Sequence, residues 1–141
     1  MLVKGTPIAT VLVVDDEIMV RRLAVLALEP AGFRVLTAGD VLEAEAALRD
    51  HGPVDAVVMD VLLEGTNGFE VMEQLAQVRH DLPVVYMSGY PGQMLYERLA
   101  IAAPFLPKPF TPDELVEVVM ELIGMIGTRR RLVDARKQPI A

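Results

Sequence analysis

The chain has 141 residues, enough for one domain with its own hydrophobic core and too few for two of ordinary size. Hydrophobic residues make up 52% of it and the mean hydropathy is +0.38, which excludes a disordered chain, while no apolar run reaches the roughly 20 residues that cross a bilayer. With no cysteine there is neither a thiol nucleophile nor a thiolate metal site, and a net charge of -7 argues against general nucleic-acid binding.

Five short apolar runs rich in β-branched residues alternate with five helix-like stretches. Residues 1–9 form an extension before the first run, "TVLVVD" at 10–15, which leads through Asp15, Asp16 and Glu17 into a helix near 17–29. "EPAG" breaks that helix before the second strand, "FRVLTA" at 33–38, and Asp40 is placed to cap a second helix over 40–50. After "HGPVD" comes "DAVVMD" at 55–60, an apolar run that ends on a single carboxylate, Asp60. "LLEGTNG" then leads into a helix over 67–79.

The fourth strand, "PVVYMS" at 83–88, ends on Ser88 and is followed by a predicted helix over 91–102. The fifth, "PFLPK" at 104–108, carries Pro104 and Pro107, which cannot donate to a ladder, so it reads as a short edge strand ending at Lys108. The last helix, near 111–126, has Thr111 as N-cap, Pro112 at its first position and Glu114 where a capping box wants an acid. Leu115, Val118, Val119, Leu122, Ile123 and Ile126 share one face, and Gly127 is expected to close the helix. The domain proper is thus expected over 10–127. Residues 128–141, with Arg129, Arg130, Arg131, Arg136 and Lys137, are expected to form a flexible basic tail.

Runs one, three and four are apolar on both faces, as parallel strands covered by helices on either side must be. Right-handed βα units then build a doubly wound sheet, whose ligands bind beyond the carboxyl ends of the strands. Asp15, Asp16, Asp60, Ser88 and Lys108 all fall at such ends. Alone, each has an ordinary explanation: acids favour a helix N-terminus, a serine suits a turn, and a lysine is usually solvated. Together, three converging carboxylates would repel one another, and a hard divalent cation is their natural partner. Mg2+ fits, with Mn2+ as a substitute, because oxygen ligands, waters and phosphate oxygens complete its shell. With a lysine ammonium and a serine hydroxyl alongside, the chemistry indicated is phosphoryl transfer onto a carboxylate.

The set "VVDDE", "VVMD", "MSGY" and "KPF", in this order and spacing, closely resembles the receiver domain of two-component response regulators over about residues 10–126. The resemblance implies a flavodoxin-like α/β fold with five parallel strands in the order 2-1-3-4-5. It implies that Asp60 accepts a phosphoryl group from a phosphohistidine, and that Asp16 and Asp60 ligate Mg2+ directly. Asp15 would act through water and Leu62 through its backbone carbonyl. Lys108 would pair with Asp60 and then with the phosphoryl oxygens, and Lys108-Pro109 would be a cis peptide. Ser88 and Phe105 would form the switch, and the fourth helix, fifth strand and fifth helix the output face, where a homodimer would also form. The implied partners are a histidine kinase or histidine phosphotransfer protein and a downstream protein. The chain would be a signalling domain rather than an enzyme, assisting only its own phosphorylation and dephosphorylation.

The context implied is a stand-alone regulator or the terminal receiver of a hybrid histidine kinase, in the cytoplasm and without a membrane contact. Direct DNA binding is not expected, because few residues follow Gly127. In three places the sequence departs from the family. Glu64 stands where a proline is common, and with Gly65 and Gly68 it predicts a loop that is more flexible or differently shaped. Phe105 lacks the hydroxyl of the commoner tyrosine, so a toggle there must work by packing. Ser88 replaces threonine with its donor chemistry intact.

Competing readings share the βα rhythm. A flavodoxin-type cofactor binder would need hydroxyls and amides in the first loop, where Asp15, Asp16 and Glu17 stand instead. A Mg2+-dependent phosphatase that forms an aspartyl phosphate needs a second aspartate two residues after the nucleophile, where this chain has Leu62. His51 and His80 read as surface residues at helix ends.

Overall fold

The computed structural model describes residues 6–89 and 104–137, with side chains of the last helix through Gly124. The helix predicted over 91–102 lies outside the described residues, so the output face that includes it does too. In chain order the elements are β1 (Thr10–Val14), α1 (Ile18–Leu28), β2 (Arg34–Ala38), α2 (Val41–Asp50), β3 (Ala56–Asp60), β4 (Leu62–Leu63), β5 (Thr66–Asn67), α3 (Gly68–Val78), β6 (Val84–Ser88), β7 (Phe105–Pro107) and α4 (Pro112–Lys137).

Five strands form one parallel sheet in the order β2-β1-β3-β6-β7, and β4 and β5 form a separate antiparallel hairpin. Every residue of β1 and β3 is buried, which is why those strands are continuous runs of valine, leucine and methionine rather than alternating ones. The period of two divides them between two cores. Leu12, Val14, Val57, Met59 and Tyr86 pack under α2 and α3 with Ala44, Leu48, Val71 and Leu75. On the opposite face Val11, Val13, Val58, Val85 and Met87 pack under α1 and α4 with Ala24, Leu28, Leu115 and Val119. The flavodoxin-like order places β3 at the centre, with β7 a three-residue edge strand as its prolines require.

The local caps follow their chemistry. Asp40 accepts the Glu43 N–H at 2.8 Å, and Asn67 caps α3 by accepting the Glu70 N–H at 3.0 Å. Thr111 and Glu114 form a reciprocal capping box, the Thr111 N–H donating to Glu114 Oε1 at 3.0 Å and the Glu114 N–H to Thr111 Oγ1 at 3.2 Å.

One boundary differs from expectation: α4 does not close at Gly127 but continues to Lys137. A glycine inside a helix costs only about 1 kcal/mol relative to alanine, and "TRRRLVDARK" after it contains no breaker, the next proline in the sequence being Pro139. Among the described residues no helix is long and apolar enough to cross a membrane.

The capping box starts the helix that follows the lysine of the rim. Thr111→Ala should destabilise the protein by about 1 kcal/mol, and Thr111→Ser by much less, as read from urea denaturation midpoints.

Candidate functional site

The carboxyl ends of the strands are held by ladders that run one residue past the strands themselves. The Asp15 N–H donates to the Ala38 carbonyl at 3.1 Å, the Val61 N–H to Met87 at 2.9 Å and the Lys108 N–H to Ser88 at 2.8 Å. Asp15, Asp60, Ser88 and Lys108 therefore stand on backbone fixed by the sheet. Asp15, Asp16 and Asp60 each present a carboxylate oxygen within 4.8 Å of the others. Asp15 is fully buried and Asp60 is 4% exposed, whereas Asp16 is exposed.

Each acid has its own restraint. Asp15 accepts from the Glu17 N–H at 2.8 Å through Oδ1 and from Lys108 Nζ at 2.7 Å through Oδ2. Its backbone carbonyl accepts from Arg21 Nη1, also at 2.7 Å. Asp60 accepts from the Leu62 N–H at 3.2 Å through Oδ1 and lies 3.5 Å from Lys108 Nζ through Oδ2. Asp16 accepts from the Glu64 N–H at 3.1 Å through Oδ2. Ser88 is 2% exposed at the end of β6, between β3 and β7. Lys108-Pro109 is cis, as the resemblance implied.

The electrostatics follow from burial and proximity. Burial first, and then the Asp15 charge, push the Asp60 carboxyl up to about 6, against the downward pull of Lys108 and the Leu62 amide. Burial alone would lower Lys108, but its hydrogen bond to Asp15 and the charges of Asp15, Asp60 and Glu17 hold it above the usual lysine range. Three carboxylate groups, two of them buried, face one lysine, so the donor set is acidic in excess. An all-oxygen donor set with that excess fits a hard divalent cation such as Mg2+.

The geometry adds to two expectations. Lys108 does pair with Asp60, at 3.5 Å, but it has a second and closer partner in Asp15, at 2.7 Å. Of the two acids Asp15 is the more deeply buried, so it gains most from a compensating charge. Gly65 and Gly68 were both expected to loosen the loop after β3. Gly65 does adopt the left-handed conformation, φ 79°, but it does so as the turn of the β4–β5 hairpin. Gly68 is an ordinary α3 residue whose role is clearance: a Cβ there would overlap the Asp60 carbonyl oxygen and lie 2.8 Å from Met59 Cγ.

Of the other anticipated residues, Phe105 is half-buried on β7, in register with Tyr86, and packs against the core beneath α2 and α3. Leu62 is exposed on β4. His51 and His80 are exposed, as expected of helix-end residues. Two groups escaped the sequence reading, Arg21 and the Glu64 amide. Arg21 lies one turn into α1, where helical spacing aims it back at Asp15. A backbone amide leaves no sequence signal beyond its residue not being proline.

The family described as the response regulator receiver domain matches residues 11–120. The phosphate regulon transcriptional regulatory protein PhoB of Pseudomonas aeruginosa is 33% identical over 122 residues, which are 84% of this chain and 53% of PhoB. The sensor kinase CckA of Brucella abortus is 35% identical over 118 residues, 82% of this chain and 12% of CckA. The chain thus spans about half the length of the first relative and a small part of the second. The chemotaxis protein CheY4 of Vibrio cholerae has a crystal structure that superposes with a TM-score of 0.74 at 27% identity, covering 81% of this chain and 98% of CheY4. PhoB is a transcriptional regulator by name, so the relatives lend no support to the expectation that DNA binding is absent.

Two outcomes test the site's physics. Because folding raises the Asp60 carboxyl from 3.8 to about 6, the folded state binds that proton more tightly, and stability falls as pH rises through this interval. In metal-free buffer at pH 8, Asp60→Asn should therefore be more stable than wild type by on the order of 1–3 kcal/mol. That advantage should shrink steadily as the pH is lowered toward 4, the ordinary carboxylate range, in parallel urea titrations. Gly68→Ala should destabilise by about 1–3 kcal/mol through overpacking, although alanine is the better helix former; a gain in stability by thermal melting would contradict the clearance role.

Proposed function

Because the chain belongs to the response regulator receiver domain family, whose members are phosphoacceptors in two-component signalling, we propose that Asp60 is the residue that takes the phosphoryl group. The observation that carries this reading is Asp60's setting, a nearly buried carboxylate at the end of the central strand, with two further acids and a lysine ammonium around it. With its carboxyl at about 6, Asp60 is mostly ionised at neutral pH and retains the electron pair that a nucleophile needs. One carboxylate oxygen attacks phosphorus, the new O–P bond forms as the P–N bond of a phosphohistidine breaks, and the leaving pair returns to the imidazole nitrogen.

Asp16 and Asp60 would hold Mg2+ with the Leu62 carbonyl, and Asp15 would reach it through water. When bound, the cation would neutralise charge on the transferring phosphoryl oxygens. Lys108, already 3.5 Å from Asp60 Oδ2, is in reach of an oxygen carried by the phosphorylated side chain. The Ser88 hydroxyl would donate to another from the neighbouring strand end. Asp60 is rigid because its strand is buried and its ladder continues past it. That rigidity supports in-line attack, in which misplacement by an ångström is costly.

The phosphodonor would be a histidine kinase or a histidine phosphotransfer protein, and the readout a downstream protein on a face that Ser88 and Phe105 control. Beyond taking up the phosphoryl group, the domain would assist only its own phosphorylation and dephosphorylation.

The test is to incubate the chain with an acyl phosphate, with and without Mg2+, and to read intact mass. Wild type should gain one phosphoryl group only with Mg2+, and Asp60→Asn none. Equal labelling of the two proteins would remove Asp60 from the role.

A further inference from the structure

We infer that the β4–β5 hairpin is a positioning element for the cation site, and that it acts on Asp16 through the backbone N–H of Glu64. The inference rests on the cation reading above and deepens it.

The three acids are not equally restrained. Asp15 and Asp60 are buried, and each is held by a neighbouring amide and by Lys108. Asp16 is exposed, and the one hydrogen bond it makes among the described residues comes from the Glu64 N–H, 48 positions away in sequence. Without that contact, an exposed carboxylate would have to give up side-chain freedom whenever a cation bound. With it, one oxygen is already oriented and the other is left for a ligand.

The amide is itself held from behind. Leu62 pairs with Asn67 and Leu63 with Thr66, and Gly65 turns the chain between them. Leu63 is buried in the core beneath α2 and α3. Asn67 caps α3 through the Glu70 N–H, Thr66 Oγ1 donates to Glu70 Oε2 at 3.0 Å, and the Gly68 N–H donates to the Val61 carbonyl at 2.8 Å. The Glu64 amide is therefore placed by the hydrophobic core and the start of α3, and it transmits that placement to an acid on the first loop. The Glu64 carboxylate has no part in this. The proline common in the family at this position carries no N–H, so the contact is a feature of this chain's hairpin, and here any residue that keeps its N–H would serve.

The experiment is calorimetric titration of the full chain with MgCl2. Glu64→Ala keeps the amide and should bind within twofold of wild type. Glu64→Pro should bind on the order of tenfold more weakly, the lower end of what partners of metal ligands contribute. A second measurement does not depend on how the proline variant folds. In metal-free protein, Asp16→Ala should accelerate amide hydrogen exchange at Glu64 about tenfold, read by NMR, while the Gly68 amide, bonded to Val61, keeps its rate. Wild-type affinity in Glu64→Pro, affinity lost in Glu64→Ala, or Glu64 exchange indifferent to Asp16→Ala would each overturn the inference. If wild type itself does not bind Mg2+, the cation reading fails and takes this one with it; if wild type binds and Glu64→Pro binds equally, only the hairpin's role is lost.

Discussion

The ion pair between Asp15 and Lys108 is the constraint on which the rim depends. It joins residues 93 apart in sequence at 2.7 Å and connects the end of β1 to the end of β7. Those strands are not neighbours, since β3 and β6 lie between them. To reach Asp15, the Lys108 side chain must therefore pass over the two central strand ends, which places its charge 3.5 Å from Asp60. With the pair broken, Asp15 would be a fully buried carboxylate with no compensating charge and only the Glu17 N–H to its side chain, and removing one partner of such a pair typically costs about 3–5 kcal/mol. The arrangement that stabilises Asp15 is thus the same one that brings a cation to the carboxylate proposed to react.

Much of this was legible in the sequence because it rests on local rules. Continuous runs of β-branched residues give parallel strands buried on both faces, and the paired caps at Asp40 and at Thr111 with Glu114 follow from hydroxyl and carboxylate chemistry within four residues. The rim was legible because a parallel sheet sends all its carboxyl ends to one side, so five polar residues at four strand ends must converge. What escaped depends on distances that no local rule supplies. The choice of Lys108 between two acids turns on relative burial. The value of Gly68 turns on a close approach to Asp60 rather than on backbone freedom. The end of α4 turns on the weakness of a single glycine as a breaker when helix-compatible residues follow.

The region after β3 shows what a departure from a family pattern can mean in three dimensions. Glu64, Gly65 and Gly68 suggest slackness when counted as residue types. In the fold, each meets a different requirement: an amide facing Asp16, a left-handed turn, and room for a strand end. The hairpin makes specific contacts there, and its glycines are what allow them.

The same geometry limits how a phosphoryl group on Asp60 could be felt elsewhere. A ligand biases a two-state equilibrium only through contacts that differ between the states. The contact most exposed to such a change is Lys108's division between Asp15 and Asp60, because new charge on Asp60 would draw the ammonium from the shorter pair toward the longer one. The Lys108 N–H is fixed to Ser88, and Phe105 lies three residues upstream on β7, opposite Tyr86. Tyr86 in turn meets Phe69 of α3, their ring centroids 4.8 Å apart. A shift of the lysine would therefore act on β7, which among the described residues pairs with β6 alone and whose Phe105 packs against the core. The proposed switch at Phe105 would then have to work through packing, since its side chain carries no hydroxyl.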